Sequence, residues 1–123
     1  MGNKKRILFV DDEEDFLSIV RSGLENAGYE VLTATNGREG LELAQEKKPD
    51  LAFVDIMMPI MDGYQFCRFL KFDELLKKIP VIFVTARQND EDKKIGVKMG
   101  GDDYLIKPFE TKVLVEKIKK FLG

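Results

Sequence analysis

Histidine is absent from this sequence. That removes Ser-His and Cys-His nucleophilic catalysis, imidazole acid-base chemistry and every histidine-containing metal site. Cysteine occurs once, at Cys67, so neither an internal disulfide nor a Cys-x-x-Cys pair can form. The residue reads as a small buried hydrophobe, and a reducing compartment is compatible. No apolar stretch approaches the ~20 residues of a membrane span. The opening Met1-Gly2-Asn3-Lys4-Lys5-Arg6 runs into a strand-like segment without the apolar core of a signal peptide. These features read as a cytoplasmic protein with no membrane partner. An excess of positive charge is missing too: 20 basic against 22 acidic residues leave a net charge of −2, which gives no basis for direct nucleic-acid binding. Linkers, internal repeats and low-complexity segments are also lacking.

What remains is a chain of 123 residues, 44% of them apolar. It suits a single domain over 1–123 that buries roughly two thirds of its unfolded surface without disulfides. Five short β-branched or apolar runs recur: Ile7 to Val10, Glu30 to Ala34, Leu51 to Val54, Val81 to Val84 and Tyr104 to Ile106. Each is followed by a helical pattern. Phe16, Leu17, Val20, Leu24 and Ala27 share one face, as do Gly37, Gly40, Leu41 and Ala44. The third helix is expected to start near Asp62 and carry Phe66, Cys67 and Leu70. The fourth runs from about Asn89 to Met99, with Asn89 as cap and acidic residues in its first turn. The last places Leu114, Ile118, Phe121 and Leu122 together. Strict alternation of strand and helix implies right-handed βαβ crossovers, hence an α/β fold with a parallel sheet between two helical layers. Runs one, three and four are apolar throughout and read as central strands, while runs two and five are mixed and suit edges. The matching strand order is 2-1-3-4-5, the flavodoxin-like doubly wound arrangement.

In such sheets ligands bind beyond the carboxyl ends of the strands. The residues there are Asp11 and Asp12 after the first run, Asp55 after the third, Thr85 after the fourth and Lys107 after the fifth. Three converging carboxylates repel one another unless a cation neutralises them. With oxygen ligands only, the expected ion is hard, and Mg²⁺ fits best. Lys107, just before Pro108, can reach this site as a point charge for an anion such as a phosphoryl group, and Thr85 adds a hydroxyl donor. With one carboxylate free to act as nucleophile, the implied chemistry is phosphoryl transfer. Glu13, Glu14 and Asp15 read as the solvated start of the first helix.

Four stretches carry a resemblance that covers essentially the whole chain: Ile7-Leu8-Phe9-Val10-Asp11-Asp12, Asp55-Ile56-Met57-Met58-Pro59-Ile60-Met61-Asp62-Gly63, Val84-Thr85-Ala86, and Asp102-Asp103-Tyr104-Leu105-Ile106-Lys107-Pro108-Phe109. In order and spacing they resemble the CheY-like receiver domain of two-component response regulators. The resemblance implies that Asp55 accepts a phosphoryl group, and that Asp12, Asp55 and the backbone carbonyl of Met57 bind Mg²⁺ with Asp11 in support. It further implies that Thr85 and Lys107 contact the phosphoryl oxygens, that Tyr104 is an aromatic switch coupled to Thr85, and that the Lys107-Pro108 bond is cis. The implied donor is a sensor histidine kinase or a histidine phosphotransfer protein, since a chain without histidine cannot carry a phosphohistidine itself. The implied output face is the fourth helix, fifth strand and fifth helix, where Lys93, Lys94, Lys98, Lys112, Lys117, Lys119 and Lys120 cluster. The downstream target and a phosphorylation-dependent homodimer stay open.

In the family, the positions two after the phosphoacceptor and two after the switch threonine border the path of hydrolytic water. Here they hold the bulky Met57 and Arg87, from which a long-lived aspartyl phosphate is expected. The enzyme alternative is an Mg²⁺-dependent phosphohydrolase with an Asp nucleophile, but Asp11 is followed two positions later by Glu13 rather than by the Asp of that class. A dinucleotide or flavin site lacks the Gly-x-Gly-x-x-Gly that should follow the first strand. The expected role is therefore a switch, not an enzyme, apart from its own phosphorylation and dephosphorylation.

Overall fold

A computed structural model describes residues 4–86 and 90–123. The five apolar runs form strands β1 (Arg6–Val10), β2 (Glu30–Ala34), β3 (Leu51–Asp55), β4 (Val81–Thr85) and β5 (Asp103–Ile106). They make one parallel sheet ordered β2-β1-β3-β4-β5. Between and after them lie α1 (Glu14–Asn26), α2 (Gly37–Lys47), α3 (Gly63–Phe72), α4 (Asp90–Lys98) and α5 (Thr111–Leu122). The expected α/β class and strand order are those observed.

The side-chain period of two divides each central strand between two cores. Ile7 and Phe9 of β1, Leu51 and Phe53 of β3 and Ile82 and Val84 of β4 pack with Leu17, Val20 and Leu24 of α1 and Leu114 and Ile118 of α5. Leu8 and Val10, Ala52 and Val54, and Val81 and Phe83 face the other way, onto Ala44 of α2 and Phe66, Cys67 and Leu70 of α3. Because both faces are covered, β3 and β4 are buried along their whole length, which is why they read as continuous apolar runs.

β1 and β5 begin one residue earlier, and β3 and β4 end one residue later, than the sequence pattern implies. Ile56 donates its N–H to the Val84 carbonyl at 3.1 Å and Lys107 donates to the Thr85 carbonyl at 2.7 Å, so the backbone ladder carries Asp55 and Thr85 into the ends of β3 and β4. Their polarity ended the apolar pattern before the hydrogen bonding ended. α3 starts where expected: the Asp62 side chain accepts from Gln65 N–H at 2.8 Å, and the Gln65 side chain accepts from Asp62 N–H at 3.0 Å. This reciprocal capping box satisfies two N–H groups at the helix entrance. The expected cap of α4, Asn89, and the water-path residue Arg87 lie outside the described residues.

Candidate functional site

Parallel pairing brings the carboxyl ends of β1, β3, β4 and β5 to one edge of the sheet. The register aligns Val10 with Val54, Asp55 with Val84 and Thr85 with Ile106. Asp11, Asp55 and Thr85 are accordingly buried polar residues at the rim of an apolar core. Asp11 continues the ladder, donating its N–H to the Ala34 carbonyl at 3.0 Å. One of its carboxylate oxygens accepts the Glu13 N–H at 2.9 Å and the other accepts from Lys107 Nζ at 2.8 Å. Asp55 accepts the Met57 N–H at 3.2 Å and lies 3.6 Å from Lys107 Nζ. Asp11, Asp12 and Asp55 each offer a carboxylate oxygen, all within 4.8 Å of one another, and Asp12 is open to solvent.

The Lys107 ammonium therefore faces the carboxylates of Asp11, Asp55 and Glu13, while Asp12 adds a fourth to the site. Burial, and next the charge of Asp11, push the Asp55 carboxyl up to about 6, against the lowering pull of Lys107 and the Met57 N–H. Burial alone would lower Lys107, but its hydrogen bond to Asp11 and the charges of Asp11, Asp55 and Glu13 outweigh that and raise it. The all-oxygen donor set, the excess negative charge and the opening at Asp12 fit a hard divalent cation that keeps some of its water.

The site also contains groups that the sequence reading assigned elsewhere. Glu13, read as part of a solvated helix start, is the N-cap of α1 and lies 3.6 Å from Lys107 Nζ. The Lys107 ammonium stands 4.4 Å from the ring centroid of Phe16, and Phe16 packs edge-on against Phe109 at 5.8 Å. This aromatic support holds the lysine stem and adds cation–π attraction. The Lys-Pro-Phe sequence was the available clue to Phe109. Phe16 was legible only as a core residue of α1.

The loop from Ile56 to Asp62 forms the other wall. Gly63 donates its N–H to the Ile56 carbonyl at 3.0 Å, and a Cβ at Gly63 would lie 2.5 Å from the Asp55 carbonyl oxygen, so the loop closes this tightly only over a glycine. Asp12, Ile56, Met57, Met58, Pro59, Asp62 and Tyr64 line a cleft of about 530 Å³ beside the carboxylates. Ile60 sits in this loop at φ 71° and is 76% exposed. The left-handed region costs an L-residue roughly 1–2 kcal/mol, and a β-branched side chain is especially ill suited to it. Ile60→Gly is expected to raise stability by about 1 kcal/mol, read as a higher urea midpoint at unchanged slope. A lower midpoint would show that the side chain contributes more than its backbone strain costs.

On β5, Tyr104 is half-buried and packs edge-on against Phe83, with ring centroids 6.4 Å apart, and Phe83 packs in turn against Tyr64 at 5.3 Å. The Tyr104 hydroxyl is itself buried. The Lys107-Pro108 bond is cis. Of the basic residues expected on the output face, Lys117 and Lys120 are held by Asp103 at 2.9 and 3.2 Å. Burial would raise the Asp103 carboxyl, but hydrogen bonds from Lys117, the Tyr104 N–H and Lys120 leave it below its ordinary range.

Comparison with known proteins agrees with this fold. The family model of the response regulator receiver domain matches residues 7–119. The alkaline phosphatase synthesis transcriptional regulatory protein PhoP of Bacillus subtilis is 39% identical over 96% of this chain and 48% of its own length. The probable transcriptional regulator ycf27 of Cyanophora paradoxa is 42% identical over 98% of this chain and 49% of its own. The chain thus spans about half the length of these curated relatives. Among solved structures, the chemotaxis protein CheY4 of Vibrio cholerae superposes with a TM-score of 0.93 at 32% identity, covering 98% of this chain and all of that one. With five parallel strands in the 2-1-3-4-5 order and a receiver model matched from β1 into α5, the chain belongs to the response regulator receiver domain family, the CheY-like switches of two-component signalling.

Proposed function

We propose that Asp55 accepts a phosphoryl group from a sensor histidine kinase or a histidine phosphotransfer protein, and that the aspartyl phosphate changes the surface of α4, β5 and α5 to regulate a partner. The observation that carries this reading is the meeting of Asp55, Asp11, Asp12 and Lys107 at the strand ends, with Asp55 lifted to about 6. Burial and the charge of Asp11 make Asp55 more basic than a solvated carboxylate while leaving it mostly ionised at neutral pH.

In-line attack by an Asp55 oxygen on the donor's phosphorus forms a P–O bond as the P–N bond to the donor imidazole breaks, and the imidazole leaves with a proton. Receiver domains bind Mg²⁺ at an acidic pocket, and here Asp12, Asp55 and the Met57 carbonyl would hold it, with Asp11 in support. Bound there, the ion supplies positive charge that lets anionic donor and acceptor approach. Lys107, kept charged by Asp11 and steered by Phe16, is placed to take up phosphoryl oxygens, and Thr85 reaches them from β4. The Tyr104 ring already lies against Phe83 with a buried hydroxyl, so movement of Thr85 would bias an existing equilibrium of that ring. A switch of this kind works in the cytoplasm beside its kinase, and no helix among the described residues is long and apolar enough to cross a membrane.

The test is intact-mass measurement after incubation with Mg²⁺ and a small phosphodonor. One covalent phosphoryl per chain is expected, none on Asp55→Asn, and none when Mg²⁺ is chelated. An unlabelled parent protein, even with candidate kinases, would overturn the reading, and many turnovers of a general phosphate ester would favour a phosphohydrolase instead.

Met57 is exposed at the mouth of the site and, with Arg87, is proposed to obstruct hydrolytic water. Met57→Asn is expected to shorten the aspartyl phosphate lifetime about tenfold, equivalent to about 1.4 kcal/mol of barrier. An unchanged or longer lifetime would exclude Met57 from that role.

A further inference from the structure

The exposed face of α3 carries an apolar row that neither core uses. Phe69 is 54% exposed, Phe72 74% and, in the turn that follows, Leu75 79%. Single exposed apolar residues are ordinary, but three large ones at a spacing of three residues form a patch. Beside them, Arg68, Lys71 and Phe72 of α3 and Lys98, Met99 and Gly100 at the end of α4 enclose a groove of about 490 Å³.

The charges of the groove are unequally compensated. Lys71 is spent inside the fold: its Nζ donates to the Ile79 carbonyl at 2.7 Å, to the Lys77 carbonyl at 3.2 Å and to Asp102 at 2.9 Å. These bonds tie the end of α3, the turn after it and the entry to β5 into a rigid floor. Gly100, at φ 91°, brings the chain over the Lys71 stem, since a Cβ there would lie 3.1 Å from Lys71 Cγ. Arg68, by contrast, lies over the Phe72 ring at 5.7 Å. Among the described residues no carboxylate comes within ion-pair distance of Arg68 or Lys98. Two cations without a carboxylate partner among the described residues thus flank the apolar surface of Phe72 and Met99.

We propose that this α3/α4 groove docks an acidic amphipathic helix of a protein partner, its apolar ridge on Phe72 and Met99 and its carboxylates on Arg68 and Lys98. Helix-in-groove binding uses anchors spaced by three or four residues, which suits the Phe69, Phe72 and Leu75 row, and opposite charges at the rim set orientation and association rate. A second copy of the chain fits less well. Its acidic surface near the start of α1 would have to meet this groove head-to-tail, a heterologous contact with no reason to close. A flat anionic membrane would not reach into a slot enclosed between α3 and the end of α4. The groove takes in the end of α3 remote from Gly63 and Asp55, and the docking is tested on the unphosphorylated chain.

The test uses the ¹⁵N-labelled full chain and a synthetic helical peptide of about 16 residues, with leucines spaced by three and four and glutamates on the flanks. Expected are shift changes centred on Arg68 to Leu75 and Lys98 to Gly100. Affinity should fall about tenfold in Phe72→Ser and in the Arg68→Glu, Lys98→Glu double variant, and that double variant should prefer a peptide with lysines in place of the glutamates. All three positions are exposed and the variants should melt like the parent. Overturning results are shift changes elsewhere, affinity unaffected by the variants, dimerisation abolished by Phe72→Ser, or Arg68- and Lys98-dependent binding to phosphatidylserine vesicles in preference to the peptide.

Discussion

In the metal-free protein, Asp55→Asn is expected to raise unfolding free energy at pH 8 by about 3 kcal/mol, and the gain should vanish below about pH 4. The sign follows from the direction of the shift. Burial first, and the nearby charge of Asp11 second, raise the Asp55 carboxyl from 3.8 to about 6. Between those values the folded chain binds a proton that the unfolded chain has released, so stability is greatest at the acidic end and falls as pH rises through 6. Above pH 6 the folded site holds a carboxylate at its full electrostatic cost, and the neutral amide removes that cost. Urea unfolding in EDTA at pH 4, 6 and 8 checks this. Equal stability of parent and variant at pH 8 would mean that Lys107 already compensates Asp55 completely.

Removing the compensating cation should do the reverse. Lys107→Met keeps most of the stem against Phe16 but leaves the fully buried Asp11, whose carboxylate accepts from Lys107 at 2.8 Å, and Asp55 without their shared partner. Breaking a buried charge pair by deleting one member typically costs about 3–5 kcal/mol. The cost should be largest near pH 8 and shrink toward pH 5, because Asp55, already lifted to about 6, can escape it by taking up a proton. Added Mg²⁺ should restore more stability to the variant than to the parent, since it would be the only remaining counter-charge. Urea midpoints with and without Mg²⁺ provide the measurement, and a loss below about 1 kcal/mol at pH 8 would place Lys107 among ordinary surface ion pairs.

Together these variants describe a site held under electrostatic stress by the fold around it. The apolar interior brings Asp11 and Asp55 out of water, one lysine offsets them in part, and a divalent cation and a phosphoryl group would redistribute the remaining charge. A two-state surface needs such a differential: a ligand shifts an equilibrium only as far as its interaction differs between the two states.

Much of this was legible in the residue order. Strands buried on both faces must be apolar throughout, so β1, β3 and β4 identify themselves as central, and short crossovers then allow few arrangements of the sheet. Asp11, Asp12, Asp55, Thr85 and Lys107 could be named as candidates because ligands of open parallel sheets bind beyond the carboxyl ends of the strands. The ends of β3 and β4 were misjudged by one residue for the same reason that the site exists: a polar side chain can close a strand whose backbone still pairs.

Other features have no local signature. Glu13 approaches Lys107, which is distant in sequence, only because the carboxyl ends of β1 and β5 lie at the same edge of the sheet. Phe16 supports the same lysine through packing that its helical spacing does not distinguish from the core. The lifted Asp55 carboxyl depends on how much water the surrounding strands exclude, and the α3/α4 groove depends on Gly100 carrying one helix end over the stem of Lys71. Periodicity and polarity along the chain are local quantities, and by themselves they determined the fold class and the residues available for chemistry. Distance, burial and the balance of charge arise between segments far apart in sequence, and only the tertiary structure decided them.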